Sequence, residues 1–427
     1  MTAAELLRAN ARSLVERPFG DADPAELAAR FDEALGGLAR RRGVSVVVPI
    51  RDAGASVERC VDALLASRTR AQIVLVDDHS TDPVVERACR RLLAEHENAK
   101  LVRNERTAGF VASVNIGIRA SDADRDVVLL NSDTQVAPGW LDKLSLAAYS
   151  APRVASASPL SNAAGIFSLP VEHRDNELPD GWDPRLCDRV LEEVSWREYE
   201  RMPATSGFCL YVRREALDEV GLFDELLFLR GYGEENDFCA RASEQGFVHV
   251  LDDATFVFHE RAASFGGTKS VLKRRNARVL KALHPGHQKD QQAWEAESRL
   301  GLTRERYDAV LRELRARPVD EVRAAAEALL TTLVIARGGA PAGEWTAASR
   351  SAVVRLGSEI ELDVFGLGTA RFRPPGDRPL GLLWWLSNRL GARRVRVAPG
   401  ALDANEAARL HAALPLVDWH DPVEAVR

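Results

Sequence analysis

The chain has 427 residues and a formal net charge of −6, with 46% hydrophobic and 28% charged residues. That balance fits a folded protein of two or three domains and excludes wholesale disorder, and the lack of a basic excess argues against a nucleic-acid-binding protein. Cysteines 60, 89, 187, 209 and 239 are odd in number and form no CxxC pair; this speaks against a disulfide framework or zinc site and fits a reducing compartment.

The first twenty residues are interrupted by Glu5, Arg8 and Arg12, so they lack the apolar core of a signal peptide. No run reaches the roughly 20 apolar residues that span a bilayer. The expectation is a cytoplasmic protein, with peripheral contact to the inner face of a membrane left open. Residues 2–41 carry helical spacing (Leu6, Leu7, Leu14, then Leu27, Phe31, Leu35, Leu38), broken between Pro18 and Pro24. This predicts a two-helix preface. From residue 44 the pattern changes. A β-branched run over 44–49 predicts a strand, followed by a helix over about 56–67, a strand over 73–76 ending in Asp77-Asp78, and a helix over about 83–96. A strand over 99–103, a helix over 110–120 and a strand over 127–130 follow, the last ending in Asn131-Ser132-Asp133. Such alternation predicts a parallel sheet covered on both faces, with ligands beyond the carboxyl ends of the strands. Asp77-Asp78 and Asn131-Ser132-Asp133 can then face one crevice.

Beyond 150 the pattern loosens. A Ser/Asn/Gly loop spans 159–170, with a helix over 186–200, a strand over 208–212, and strands near 247–251 and 255–258. A basic helix covers about 268–284 and a charged amphipathic one 301–317, before a break at Arg317-Pro318. The last hundred residues predict a small α/β unit with strands over 333–336, 353–356, 360–364 and 394–397 and a helix starting at 380. The expected organisation is a helical extension (1–42), an α/β domain (43–300), and a helical linker with a small accessory domain (301–427).

Gly231-Tyr-Gly-Glu-Glu-Asn-Asp-Phe-Cys-Ala-Arg241 is the most informative stretch for chemistry. Two glycines lead into three carboxylates that open a helix stopping at Gly246. At helical spacing Glu235 shares a face with apolar Phe238, Cys239 and Ala242, whereas Glu234 aligns with Asp237 and Arg241. Glu235 is therefore expected to point inward and Glu234 outward. A carboxylate held against apolar surface is the better base; the alternative is that these acids only complement the helix dipole.

Asp77 and Asp78 can cap the next helix or accept hydrogen bonds from a nucleobase or ribose. Asn131 and Asp133 alternate on an extended segment and so point the same way, as a hard divalent cation with open positions for phosphate requires. The same N-x-D is frequent in turns. His259 closes a strand, as a hydrogen-bonded structural residue or as a ligand. Lys269, Lys273, Arg274, Arg275 and Arg278 form a solvated face or hold an anionic group. As an ordered set on one sheet, these are the parts needed to bind a nucleotide diphosphate through a metal and deprotonate an attacking hydroxyl.

Over about residues 43–285 the sequence resembles the family 2 glycosyltransferases. Val46-Val-Val-Pro-Ile-Arg-Asp52 is similar to the family's opening strand and loop, and Leu75-Val-Asp-Asp-His-Ser-Thr-Asp82 to its nucleotide-binding segment. Arg103-Asn104 with Gly109-Phe110 through Asn115-Ile-Gly117 resembles the segment that closes over the nucleotide. Leu129-Leu-Asn-Ser-Asp-Thr134 stands in the place of the DxD motif. Ser158-Pro-Leu-Ser-Asn162, Ser206-Gly-Phe-Cys209 and Arg213-Arg214 match a rhamnosyltransferase-like subgroup of surface polysaccharide synthesis, in which Gly231–Cys239 resembles the acceptor-site motif and His259–Gly266 the closing one. The resemblance implies a GT-A fold, a Rossmann-like mixed sheet flanked by helices, and inverting, metal-dependent sugar transfer. Asp78 would contact the base, with Pro49, Arg51, Asp77, Arg103, Asn115 and Ser132 in the nucleotide-binding set. Asn131, Asp133 and His259 would hold Mn2+ or Mg2+. Glu235 would be the base, with Glu234 and Asp237 as polar supports. The implied donor is a UDP-, dTDP- or GDP-sugar and the implied acceptor a glycan or lipid-linked hydroxyl. Asn131 departs from the two-aspartate form of DxD and places more of the coordination on His259. One alternative is a sugar-phosphate nucleotidyltransferase, whose glycine-rich basic loop is absent from Pro-Ile-Arg-Asp-Ala-Gly-Ala at 49–55. The other is a catalytically weakened domain acting as a nucleotide-sugar-binding or scaffold protein.

Overall fold

Every residue of the strand Val44–Ile50 (β1) is buried, which is the signature of a strand covered on both faces rather than one. The computed structural model describes residues 3–7, 24–228, 231–261, 269–327, 331–337, 351–357, 360–364, 368–372, 380–390, 392–398 and 400–420. Strands Gln72–Asp77 (β2), Ala99–Arg103 (β3) and Asp126–Leu130 (β4) join β1 in parallel, while Thr134–Gln135 (β5) leaves the sheet. Val154–Leu160 (β6), Arg201–Met202 (β7), Cys209–Val212 (β8) and Val248–Phe256 (β9) complete an eight-stranded sheet of order β3-β2-β1-β4-β8-β6-β9-β7. β8 runs antiparallel to both β4 and β6, so the sheet is mixed. The order of the parallel strands reverses between β1 and β4, opening a crevice at their carboxyl ends. Phe258–His259 (β10) pairs antiparallel with β5, setting His259 opposite Thr134 beside that crevice.

Asp126, 1% exposed, secures the β4–β8 pairing from its far end. Its carboxylate accepts the Tyr149 and Tyr211 hydroxyls, each at 2.7 Å, and the Arg214 backbone N–H at 2.8 Å. The helix Phe110–Ala120 lies directly on β1 and β2. Gly117 makes that approach possible: a Cβ there would stand 2.2 Å from Val47 Cγ1 and 3.0 Å from Val76 Cγ2.

Strands Thr331–Arg337 (β11), Ser351–Leu356 (β12), Ile360–Val364 (β13), Gly368–Phe372 (β14), Ala392–Val397 (β15) and Asp418–His420 (β16) form a second sheet of order β14-β13-β12-β11-β15-β16. Its core takes in Leu27, Phe31 and Ala34 of the helix Pro24–Leu38, with Phe31 edge-on to Trp384 at 6.3 Å. The second half of the expected preface thus completes the accessory unit. The two sheets are joined by Arg389 to Glu198 at 2.6 Å and Arg197 to the Asn388 carbonyl at 2.7 Å.

Three expectations change. The helix expected over 186–200 is Pro184–Val194; it stops where Asp253 accepts the Ser195 hydroxyl at 2.8 Å and the Trp196 N–H at 3.2 Å. The strands expected near 247–251 and 255–258 are the single β9 plus the short β10. Edge strands β14 and β16 add to the four expected in the accessory unit; an edge strand needs no continuous apolar run.

Gly117→Ala should destabilise the protein by about 1–3 kcal/mol in urea melts, the cost of overpacking a tight core. Val47→Ala in the same chain removes the clashing methyl and should recover part of that loss.

Candidate active site

The carboxyl ends of β1 and β2 are stitched together by their own loops. Asp52 accepts the N–H groups of Thr81 at 2.7 Å and Asp82 at 3.2 Å, and the Thr81 N–H is the chief reason its pKa is lowered. Arg51, beyond Pro49 and half-exposed, donates to the Asp78 carbonyl at 2.5 Å and the Thr107 hydroxyl at 2.8 Å. Asp77 accepts the Ser80 N–H at 2.8 Å and faces the Arg103 guanidinium at 3.4 Å. Asp78, expected at the nucleobase, is 4% exposed, and its carboxylate accepts Asn104 Nδ2 at 2.8 Å, the Ala108 N–H at 2.6 Å and the Gly109 N–H at 3.0 Å. It closes segment 104–109 against the strand end. Asn115 leaves the expected nucleotide set altogether. It is 1% exposed, and both of its amide hydrogens are taken, by the Phe223 carbonyl at 2.8 Å and the Glu225 carboxylate at 2.8 Å.

At the end of β4 the chain turns through Asn131, Ser132 and Asp133. Asp133 Oδ1 lies 3.3 Å from His259 Nε2. The imidazole is held from behind: Nδ1 is 2.9 Å from the Ala163 carbonyl, Asn162 accepts the His259 N–H at 2.8 Å, and Phe208 stacks on the ring at 5.3 Å and 14°. Because a carbonyl can only accept, Nδ1 carries a hydrogen, and Nε2 is the ring nitrogen turned to the carboxylate, where a neutral ring would offer its lone pair. Two lone-pair donors facing each other, one backed by a backbone acceptor, fit a shared divalent cation. Among the described residues no cluster of three His, Cys, Asp or Glu side chains suits a metal, so Asp133 and His259 would need further ligands to hold one. The neighbouring Glu260 belongs elsewhere, bound by Arg59 Nη2 at 2.6 Å and the Ser56 hydroxyl at 2.8 Å.

The third part is the helix Glu234–Glu244. Gly231, Tyr232 and Gly233 have φ of 93°, 72° and 120°, left-handed values that glycine tolerates and tyrosine does not favour. Asn276, fully buried, donates to the Gly231 carbonyl at 2.8 Å and fixes the turn. Glu235 Oε2 accepts the Gly233 N–H at 3.1 Å. The expected facing of the two glutamates is reversed: Glu234 is 6% exposed with Oε2 buried and lacking a hydrogen-bond partner, while Glu235 is partly exposed. The reason is that the polar face of the helix is itself covered. Asp237, 3% exposed, is ion-paired with Arg241 at 2.9 Å and with His284 at 2.9 Å, just past the helix Lys269–Leu283. That packing ties Asp237, expected as a polar support of Glu235, into ion pairs of its own and buries Glu234 beside it. Burial and the neighbouring Glu235 push Glu234 well above the usual carboxyl range. Burial also raises Glu235, against the opposing Gly233 N–H and Lys273.

These parts meet at Phe208. Its carbonyl accepts the Asn131 N–H at 2.8 Å and its ring stacks on His259, while a Cβ on the preceding Gly207 would lie 3.8 Å from Glu234 Oε1 and from Glu235 Cδ. Tyr232 lies within electrostatic range of both Glu234 and Asp133, each raising its pKa after burial, the leading cause. Sequence reasoning assigned no role to Asn162 or Asn276. The signal for Asn276 is an uncharged amide in the middle of a basic and largely apolar helix.

A model of the family described as glycosyl transferase family 2 matches residues 45–221. The N-acetylglucosaminyl-diphospho-decaprenol L-rhamnosyltransferase of Mycobacterium tuberculosis is 29% identical over 242 residues, covering 52% of this chain and 77% of the relative. Among solved structures, GalNAc-T7 with UDP, GalNAc and Mn2+ aligns at 20% identity and TM-score 0.43, covering 63% of this chain and 55% of that one. The mannosyltransferase PcManGT from Pyrobaculum calidifontis, in complex with GDP-Man and Mn2+, aligns at 16% identity and TM-score 0.42, covering 76% and 90%. The matched segment, residues 45–221, carries the β1–β4 crevice and the strand-end aspartates, and it marks the chain as a glycosyltransferase with a domain similar to glycosyl transferase family 2.

Proposed function

We propose that this enzyme is an inverting, metal-dependent transferase that moves a sugar from a nucleotide-diphosphate donor to the hydroxyl of a lipid-linked or glycan acceptor. The observation that carries the reading is the convergence at Phe208, where an Asp–His pair suited to a cation stands beside a carboxylate of raised pKa. Pro49, Arg51, Asp77, Asp78 and Arg103 frame the nucleotide end, with Ser132 at the turn towards the diphosphate. Asp133 and His259, with Asn131 alongside, would hold Mn2+ or Mg2+. When bound, the ion supplies charge stabilisation for the departing diphosphate. The acceptor class follows the M. tuberculosis relative, whose name specifies a diphospho-decaprenol-linked substrate.

Glu235 is the base. Its carboxylate is partly open, oriented by the Gly233 N–H, and of higher proton affinity than a free glutamate. Glu234 is the group that keeps a proton. The adjacent Glu235 raises the proton affinity of Glu234, while Glu234 lowers that of Glu235. Two carboxyls in one dry site cannot both ionise cheaply, so the more buried stays neutral and the more open takes the acceptor's proton.

Glu235→Gln should lower turnover about 10²- to 10⁴-fold, the usual contribution of a general base. Release of nucleotide diphosphate in the presence of acceptor reads the loss, while a thermal shift with donor and manganese stays intact. His259→Ala should lose the manganese-dependent rise in melting temperature that Glu235→Gln retains. The folded pKa of Glu234 is raised, so its contribution to stability is complete below the unfolded value of about 4.3 and is lost as pH rises through the folded one. Glu234→Gln, which mimics the protonated form, should match the parent near pH 4 and exceed it progressively above. Denaturant melts across pH read this directly, and equal slopes for both chains would remove Glu234 from the role.

A further inference from the structure

The helix Lys269–Leu283 carries six cations (Lys269, Lys273, Arg274, Arg275, Arg278, Lys281) and no carboxylate, in a chain whose net charge is −6. Its two sides differ. Asn276 is buried and Val279 and Leu280 pack into the core around the glutamate helix. Val271, Arg274, Arg278 and Lys281 follow one another at spacings of three and four, all exposed, and so form one outward stripe. Among the described residues Arg274, Arg278 and Lys281 have no ion-pair partner. Exposed apolar residues join the stripe: Val271 is 58% exposed, and Leu226, 80% exposed, lies on the short helix Glu225–Phe228 that Arg275 ties to this one through the Leu227 carbonyl at 2.9 Å. The inner side of the same helix belongs to the acceptor end of the site, through Asn276 on Gly231 and Lys273 over the Tyr232 ring at 5.3 Å.

We propose that this stripe docks the enzyme on an anionic bilayer surface and sets the glutamate pair next to it, which rests on the lipid-linked acceptor reading above. Unpaired cations suit lipid phosphates, and large aliphatic side chains beside them suit the acyl boundary. A nucleic acid would use the cations but leaves Leu226 and Val271 without a purpose. Among the described residues no helix is long and apolar enough to cross a membrane, so contact of this kind is made from the surface. The cations supply attraction and the two aliphatic residues supply depth.

Co-sedimentation of the full chain with vesicles of phosphatidylglycerol in phosphatidylcholine, and with phosphatidylcholine alone, tests this. The parent should partition onto the anionic vesicles and be released by salt. Arg274→Gln/Arg278→Gln/Lys281→Gln should weaken partition roughly a hundredfold, at about fivefold per basic residue near a charged surface. Leu226→Ser/Val271→Ser should weaken it while leaving the salt dependence in place. Donor hydrolysis without acceptor, measured on the same samples, should be unchanged in both variants. Equal partition onto neutral vesicles, parent-like partition of the triple variant, or binding to an RNA oligonucleotide in place of vesicles would overturn the docking surface. Absence of donor hydrolysis in the parent would instead count against the transferase reading and leave the vesicle result standing.

Discussion

β8 runs antiparallel to β4 with Cys209 opposite Leu130, and this pairing sets the position of everything chemical in the molecule. It lays the segment before β8 across the end of β4, so that Phe208 receives the Asn131 N–H and backs His259, with Gly207 against the glutamates. A parallel sheet alone would present strand-end aspartates and nothing opposite them. The buried Asp126 holds the pairing from its other end by accepting two tyrosine hydroxyls and a backbone N–H. A buried carboxylate satisfied in this way is costly to disturb, because removing any one donor leaves a buried acceptor site unsatisfied.

The carboxylates near the cleft fall into two groups that composition does not distinguish. Asp52, Asp78 and Asp237 are satisfied by the chain itself, with N–H groups or cations on their oxygens. Glu234 is not: one oxygen is buried without a partner, and its raised proton affinity is the consequence. Stability and activity pull against each other there, since the same desolvation that disfavours the charged form keeps a proton next to Glu235, the proposed base. Tyr232, held at positive φ between two glycines, belongs to the same strained corner.

Sequence reading placed β1 to β4 and the helices between them within about two residues, because long apolar runs and end signals point to the same boundaries. It did not reach β5 and β7, strands of two residues each, which exist only because distant segments pair, and it ran β10 together with the end of β9. The candidate site divides in the same way. Motif letters named Asp133, His259 and Glu235, and the structure brings the three to one place. The facing of Glu234 and Glu235 was not legible, since helical periodicity describes one element while burial depends on what covers it. Asn115 illustrates the same limit: its motif position gives no hint that residues 223 and 225 would occupy its amide.

The helix Pro24–Leu38 precedes the first strand of the catalytic sheet yet buries Leu27, Phe31 and Ala34 against the helix Leu380–Arg389 and its sheet. During synthesis that apolar face leaves the ribosome long before its partner exists. The catalytic sheet can complete its own pairing first, since its strands end at Phe256, and domains generally fold as units in order of appearance. For most of translation, then, an early-made greasy surface must wait for the last part of the chain. A ribosome that stalls near residue 330 would release a chain whose large sheet is paired but whose N-terminal helix has nothing to cover it, a natural target for a chaperone or a protease.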